Sequence, residues 1–346
     1  MQSRNPLTSL AAGVAAMALC CASSARAADQ ALIDAAKKEG RVMWYTTLIV
    51  NQAILPLKAA FEKRYPGVAL DYIRNDEGPI AIRIMNEAKA GGVQADIFDG
   101  ITVNVAMKRE GLVAPLQNPN AGDYPAEMKD KDGTWQALLL FVFTMGYNTS
   151  MVKKEDMPKT YEDLLDPKWK GKFAMNRSSS AGTYGFTGNI LMTMGEDRGM
   201  NYLRALAKQD IALSDASARA ILDNVIAGEY PIGLMMFNHH TEISARKGAP
   251  SAWLPLEPVP VAYDSVGLLK NAPHPNAARL LIEWLLSEEG QYVLKEVDYL
   301  PALPKVPAMR PGMRPEDGGF KANWLRPDLT DPQMPKWSAI AKDIFR

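Results

Sequence analysis

The sequence has two cysteines, Cys20 and Cys21, and both fall within its first 27 residues. Beyond them no thiol remains to form a disulfide, hold a soft metal or act as a nucleophile. Histidine is scarce as well: three in 346 residues, two of them adjacent at His239-His240. The formal net charge is zero, which excludes a bulk electrostatic grip on nucleic acid or on an anionic membrane. No G-x-x-x-x-G-K-[ST] loop, G-x-S-x-G elbow or H-E-x-x-H pair occurs, so the motif-bearing nucleotide hydrolases, serine hydrolases and zinc proteases lose their usual signatures. Past residue 27 no apolar run is long enough to cross a bilayer. No internal repeat stands out.

What is present begins with an export signal. Arg4 gives a basic start, residues 7–21 form an apolar stretch rich in Ala, Leu and Met, and Ala25-Arg26-Ala27 is an A-x-A cleavage site. The sequence therefore predicts cleavage after Ala27. That removes both cysteines and two arginines, leaving 37 basic against 39 acidic residues and a net charge of −2. The segment Met17-Ala18-Leu19 lacks the small residue expected before a lipidated cysteine. Apolar residues make up 47% of the chain, enough to build a sizeable core.

Hydrophobic periodicity over 30–110 alternates helix and strand, with breaks at Gly40, Pro66-Gly67, Gly91-Gly92 and Gly111. This order predicts an α/β fold with a mostly parallel sheet flanked by helices. The apolar run 134–147 is rich in β-branched and aromatic residues and reads as a strand crossing between two lobes. Residues 265–269 read as a short strand, and 300–313, with four prolines, as an extended tail.

Two stretches carry candidate chemistry. In the first, an apolar strand ends abruptly in Asn238-His239-His240, and a helix-compatible run follows over 242–247. Open α/β sheets bind ligands at such strand ends, although either histidine is equally at home as a capping or surface residue. In the second, Ser178, Ser179, Ser180, Gly182, Thr183 and Gly185 precede a helical run over 186–194. Small hydroxyl and glycine residues at a strand-to-helix junction expose N–H groups suited to an oxyanion. A plain N-cap loop has the same composition.

Ordered motifs along 30–300 resemble one family. They include Trp44-Tyr45-Thr46, Ala95-Asp96-Ile97-Phe98, Glu110-Gly111-Leu112-Val113-Ala114-Pro115 and Gly146-Tyr147-Asn148-Thr149. Further on come Tyr161-Glu162-Asp163-Leu164-Leu165-Asp166-Pro167, Ala227-Gly228-Glu229-Tyr230-Pro231 and Glu289-Gly290-Gln291. In order and spacing the chain resembles the periplasmic solute-binding proteins of ABC importers, in their ferric-ion-type branch. The resemblance implies two α/β lobes with a ligand between them, closure on binding, a periplasmic location and a membrane permease as partner. It places lobe 1 at 28–115 plus 262–312, lobe 2 at 116–261, and a C-terminal segment, 313–346, against lobe 2. It also implies a monomer without a cofactor. The departure lies in the donors. Where ferric members carry adjacent tyrosines this chain has Asn238-His239-His240, and imidazole is a softer donor than phenolate. The loop Thr46-Thr47-Leu48-Ile49-Val50-Asn51 has no histidine, and the glutamate that many ferric members supply from the helix before Ala-Asp-Ile-Phe is not evident at Lys89-Ala90-Gly91.

The reading that follows is a receptor for a small organic or oxyanionic solute. Ser179, Ser180, Ala181 and Gly182 would hold the oxyanion, Asn238 and His239 would face it, and Thr46, Thr47, Asp99 and Gly100 would close from the first lobe. Protonation of His239 would then raise affinity at mildly acidic pH. Two alternatives use the same residues. One is metal import through His239 and His240 with Asp99 or Asp215, and the other a secreted hydrolase pairing Ser179 or Ser180 with His239 and Asp215.

Overall fold

The computed structural model describes residues 29–345 apart from Ser180 and Gly318. The expected leader and its cleavage site lie outside the described residues. The chain opens with α1 (Gln30–Glu39), β1 (Arg41–Thr46), α2 (Leu55–Arg64), β2 (Ala69–Arg74), α3 (Glu77–Lys89), β3 (Ile97–Gly100), α4 (Val103–Arg109) and β4 (Val113–Ala114). It continues through β5 (Trp135–Asn148), β6 (Phe173–Asn176), α5 (Thr183–Met194), α6 (Glu196–Leu206), β7 (Ala212–Ser214), α7 (Ala218–Ala227), β8 (Ile232–Phe237), α8 (Asn238–Arg246) and β9 (Ser251–Leu254). Last come β10 (Val259–Leu269), α9 (Pro275–Leu285), α10 (Glu288–Glu296), β11 (Leu300–Pro301), β12 (Ala322–Leu325) and α11 (Pro327–Ile344).

Two long strands organise the molecule. All fourteen residues of β5 and all eleven of β10 are buried, as expected for strands covered on both faces. They run antiparallel to each other and connect two parallel units, β2-β1-β3 beside β10 and β8-β6-β7 beside β5. The crossing strand predicted over 134–147 is β5. Its partner is longer than the short strand expected at 265–269, because Val259, Val261 and Ala262 are as buried as the residues that follow. The pairing of β10 with β5 shifts register at Asp264/Ser265, and that of β5 with β8 at Thr144/Gly146. Each break increases local twist, so the two parallel units meet at an angle as two lobes.

Buried polar contacts tie the sequence motifs together. In Ala-Asp-Ile-Phe, the Asp96 carboxylate accepts from Met43 N at 2.7 Å and from His274 N at 2.6 Å. It thereby fastens β1 to the turn before α9, and His274 is absorbed into that contact (Nδ1 to Oδ2, 2.9 Å). Helices α9 and α10 pack on α1 and α2, so the first lobe is completed by late residues. The segment expected as an extended tail is built into the core instead: Leu300, Leu303 and Val306 are buried, and β11 pairs with β5.

The final helix, α11, packs on α5. The Trp337 ring lies so close to Gly188 that a Cβ there would sit 2.4 Å from it. An Arg109–Asp331 ion pair also joins α11 to α4.

Candidate functional site

The carboxyl-side ends of β1, β2, β3, β6, β7 and β8 converge on one cleft of ≈ 500 Å³. This is the position at which open α/β sheets take ligands, and its size is that of a small-molecule site.

On the first-lobe side, Arg74 closes β2 and reaches the cleft. Its Nη2 lies 3.1 Å from Asp76 Oδ1, while its buried Nε has no partner among the described residues. Glu77, at the start of α3, accepts from Ile101 N and Thr102 Oγ1, both at 2.6 Å. The loop after β3 is thus strapped to the helix. Thr47 lines the cleft and donates through its N (2.9 Å) and Oγ1 (2.7 Å) to Asp99 Oδ1. Asp264 Oδ2 is 3.5 Å from the same hydroxyl. Both carboxyls are fully buried. Burial raises the pKa of Asp99, and burial with the neighbouring Asp99 charge raises that of Asp264 well above the carboxylate range. Both carboxyls therefore bind a proton more readily than a free carboxylate does.

On the second-lobe side, Ser178, Ser179 and Gly182 fold back on Asn176. Its Oδ1 accepts from Ser178 N (3.0 Å) and Ser179 Oγ (2.7 Å), and its Nδ2 donates to Ala216 O at 2.7 Å. Gly182 is required by that close approach: a Cβ there would lie 2.4 Å from Asn176 O and 2.7 Å from its Oδ1. Gly182→Ala is expected to displace the loop, costing about 1–3 kcal/mol and weakening any ligand held there. An unchanged melting temperature would show that the loop shifts freely. Ser217 caps α7 by accepting from Ala220 N. Two residues on, Arg219 reaches the cleft. Its Nη1 donates to Ser244 Oγ at 2.9 Å and His240 O at 3.3 Å, and it pairs with Asp223. The guanidinium is held in place before any ligand arrives.

The floor is aromatic. Phe141, Phe237, His240 and Tyr299 line it. Beneath them His239 is fully buried and touches all four rings, with centroids 5.8, 5.6, 4.3 and 4.6 Å away respectively. Burial, with the positive charge of Arg219, pushes the His239 imidazole down to about 3. Burial and the neighbouring His239 and Arg219 depress His240 well below its usual range. Both rings are neutral at physiological pH. The expectation that protonated His239 attracts an anion in mild acid is therefore corrected: desolvation outweighs any gain from charging the ring.

Of the residues read from the sequence, Thr47, Ser179 and Ala181 line the cleft together with His240. Ser180 lies outside the described residues. Thr46 is buried one layer back, where its Oγ1 accepts from Leu48 N. Asp99 is also one layer back, as is Gly100, whose φ of 151° and closeness to Val103 suit glycine. Gly182 backs the loop. Asn238 and His239 do not line the cleft either, because α8 begins at Asn238 and not four residues later. Its first turn carries Asn238 inward, where Nδ2 donates to Met313 O at 2.8 Å. Among the described residues the hydrolase constellation is not assembled. Ser179 Oγ donates to Asn176, Asp215 pairs with Arg177, and His239 is enclosed by rings. Among the described residues no three His, Cys, Asp or Glu side chains gather as a metal-ligand group.

Sequence reasoning missed Arg74, Arg219, Phe141, Phe237 and Tyr299. Arg74 at a strand end and Arg219 just after an N-cap serine satisfy the rule that singled out residues 176–188, so the two arginines were findable.

Comparison with known proteins places this geometry. The model of a family described as bacterial extracellular solute-binding protein matches residues 95–324. The chain is 26% identical over 258 residues to iron uptake protein A1 of Synechocystis sp., covering 70% of each chain. Iron-bound HitA from Pseudomonas aeruginosa superposes with a TM-score of 0.74 at 21% identity, over 88% of this chain and 99% of that one. The periplasmic binding protein AfuA from Actinobacillus pleuropneumoniae, solved with fructose-6-phosphate, gives 0.71 at 23% identity, over 88% and 99%.

Proposed function

Since the chain belongs to the family of bacterial extracellular solute-binding proteins, we propose that it is a periplasmic import receptor for a small organic oxyanion. It acts as a monomer and hands its ligand to the permease of an ABC transporter. The observation that carries the ligand class is the pair of guanidiniums, Arg74 from one lobe and Arg219 from the other, on the wall of one cleft. Arginine's planar fork suits phosphate, phosphonate and carboxylate.

The acids nearby are already engaged. Asp76 faces Arg74, Asp215 faces Arg177, and Glu77 accepts from Ile101 N and the Thr102 hydroxyl. An oxyanion bound by both arginines joins the lobes, and Thr47 and Ser179 supply hydroxyls from either side. The relatives' names range from iron to a sugar phosphate, so the walls of this cleft, and not kinship, argue for the ligand. Leader cleavage after Ala27 and the lobe limits near 115, 261 and 312 belong to the same proposal.

A thermal-shift screen of the purified chain against phosphates, phosphonates, carboxylates, polyamines, ferric ion and divalent metals tests it. At a hundredfold excess over Kd a ligand adds about 2.7 kcal/mol of stability. Stabilisation by organic oxyanions is the expected outcome. A response to ferric ion or polyamines with none to any oxyanion would overturn the reading.

A further inference from the structure

The same cleft says more about the part of the ligand that is not the anion. This step rests on the oxyanion reading above. We infer that the ligand carries a flat unsaturated ring, so that the class is an aromatic or heteroaromatic oxyanion whose ring lies on Phe141, Phe237 and Tyr299.

Three observations lead there. The floor carries no charge, because His239 and His240 are buried and neutral. The lining also carries two guanidiniums, Arg74 and Arg219, so the cleft offers charge to an anion and rings to an apolar part of the same ligand. A bare inorganic anion uses the charge and leaves the rings wet, a poor use of about 500 Å³.

The shape of the floor then selects among organic groups. An aromatic cage for a quaternary ammonium needs opposed ring faces with the cation between them. Here the rings touch one another: Phe141 and Phe237 centroids are 4.5 Å apart, Phe237 and His240 5.3 Å, and His240 and Tyr299 6.0 Å. The first pair is tilted at 36° and the other two stand nearly perpendicular, at 88° and 84°, so no pair of opposed faces is left for a cation, and a planar ring would meet these side chains by edge-to-face and offset contact.

His239 is a positioning residue in this arrangement. It touches all four lining rings from below, and neither of its nitrogens has a partner among the described residues. Its contribution is therefore its shape.

Matched pairs of anions test the inference by calorimetry on the intact chain: phenylphosphonate against methylphosphonate, phenyl phosphate against a hexose phosphate, and benzoate against acetate. The aromatic member of each pair is expected to bind about tenfold tighter. Phe237→Leu, which stays apolar but removes the ring, is expected to bring the aromatic-to-aliphatic affinity ratio down towards one. Melting curves confirm folding, and Phe141→Leu serves as the second variant if Phe237→Leu fails to fold. Equal or tighter binding of the aliphatic or sugar members would overturn the ring assignment and leave the oxyanion reading standing. Absence of binding by every anion in the panel would remove both.

Discussion

Replacing Arg74 by alanine and Arg219 by glutamine in one chain is expected to weaken organic-oxyanion binding by about 10²–10⁴-fold. A hydrogen bond to a charged group contributes about 1.5–3 kcal/mol, and every 1.4 kcal/mol is tenfold in Kd. The two residues are not equivalent. Arg74 has an unpartnered Nε and one ion pair, with exposed Asp76, so its replacement disturbs little of the free protein. Arg219 also holds Ser244 and the His240 carbonyl, and glutamine keeps a donor for these while removing the charge. The single variants should each lose about 10–150-fold. Their free energies should fall short of additive if both arginines grip one group of the ligand. Calorimetry at two salt concentrations is the measurement. Affinity within threefold of the parent for the double variant, in a protein that melts normally, would remove the arginines from the site.

Asp264→Asn is expected to make the protein about 2 kcal/mol more stable at pH 8, with the gain shrinking to nothing by about pH 4. The magnitude is that of relieving an uncompensated buried polar or charged group. An acid whose pKa is raised by folding binds its proton more tightly in the folded state than in the unfolded one. Its contribution is complete at low pH and is lost as pH rises through the raised value. Asp99 and Asp264 are such acids.

The histidines run the other way. The unfolded chain takes up protons near pH 6.5, and folded His239 does so only near 3, so stability from this source is lost as pH falls through that window. Between about pH 4 and 6.5 the two effects oppose, and the parent protein should show a shallow pH dependence. Asp264→Asn removes one side of the balance, so urea midpoints of the variant should fall more steeply on acidification. A stability difference that stays constant from pH 4 to 8 would show that folding does not raise the pKa of Asp264.

Much of the scaffold was legible in the sequence, because apolar periodicity and glycine breaks report local geometry directly. The run that became β5 shows this best: fourteen consecutive buried residues leave no polar alternative. The site was less legible, for three physical reasons. No glycine or proline separates β8 from α8, so the start of the helix at Asn238 was invisible, and that start turns Asn238 and His239 away from the cleft. Arg74 and Arg219 are two of 39 basic residues, and only the fold brings them to one wall. Tyr299 lines the cleft from just before β11, and Asp264 lies behind it on β10, positions set only by long-range strand pairing.

The way the first lobe is completed also sets an order of events in time. Its sheet needs β10 beside β3, and its helical layer needs α9 and α10 against α1 and α2. A chain emerging from its amino end therefore cannot finish this lobe until some 300 residues are available, although the second lobe's parallel strands are complete by residue 237. Contacts so far apart in sequence close slowly. The half that is made first is therefore the half whose contacts can be completed last.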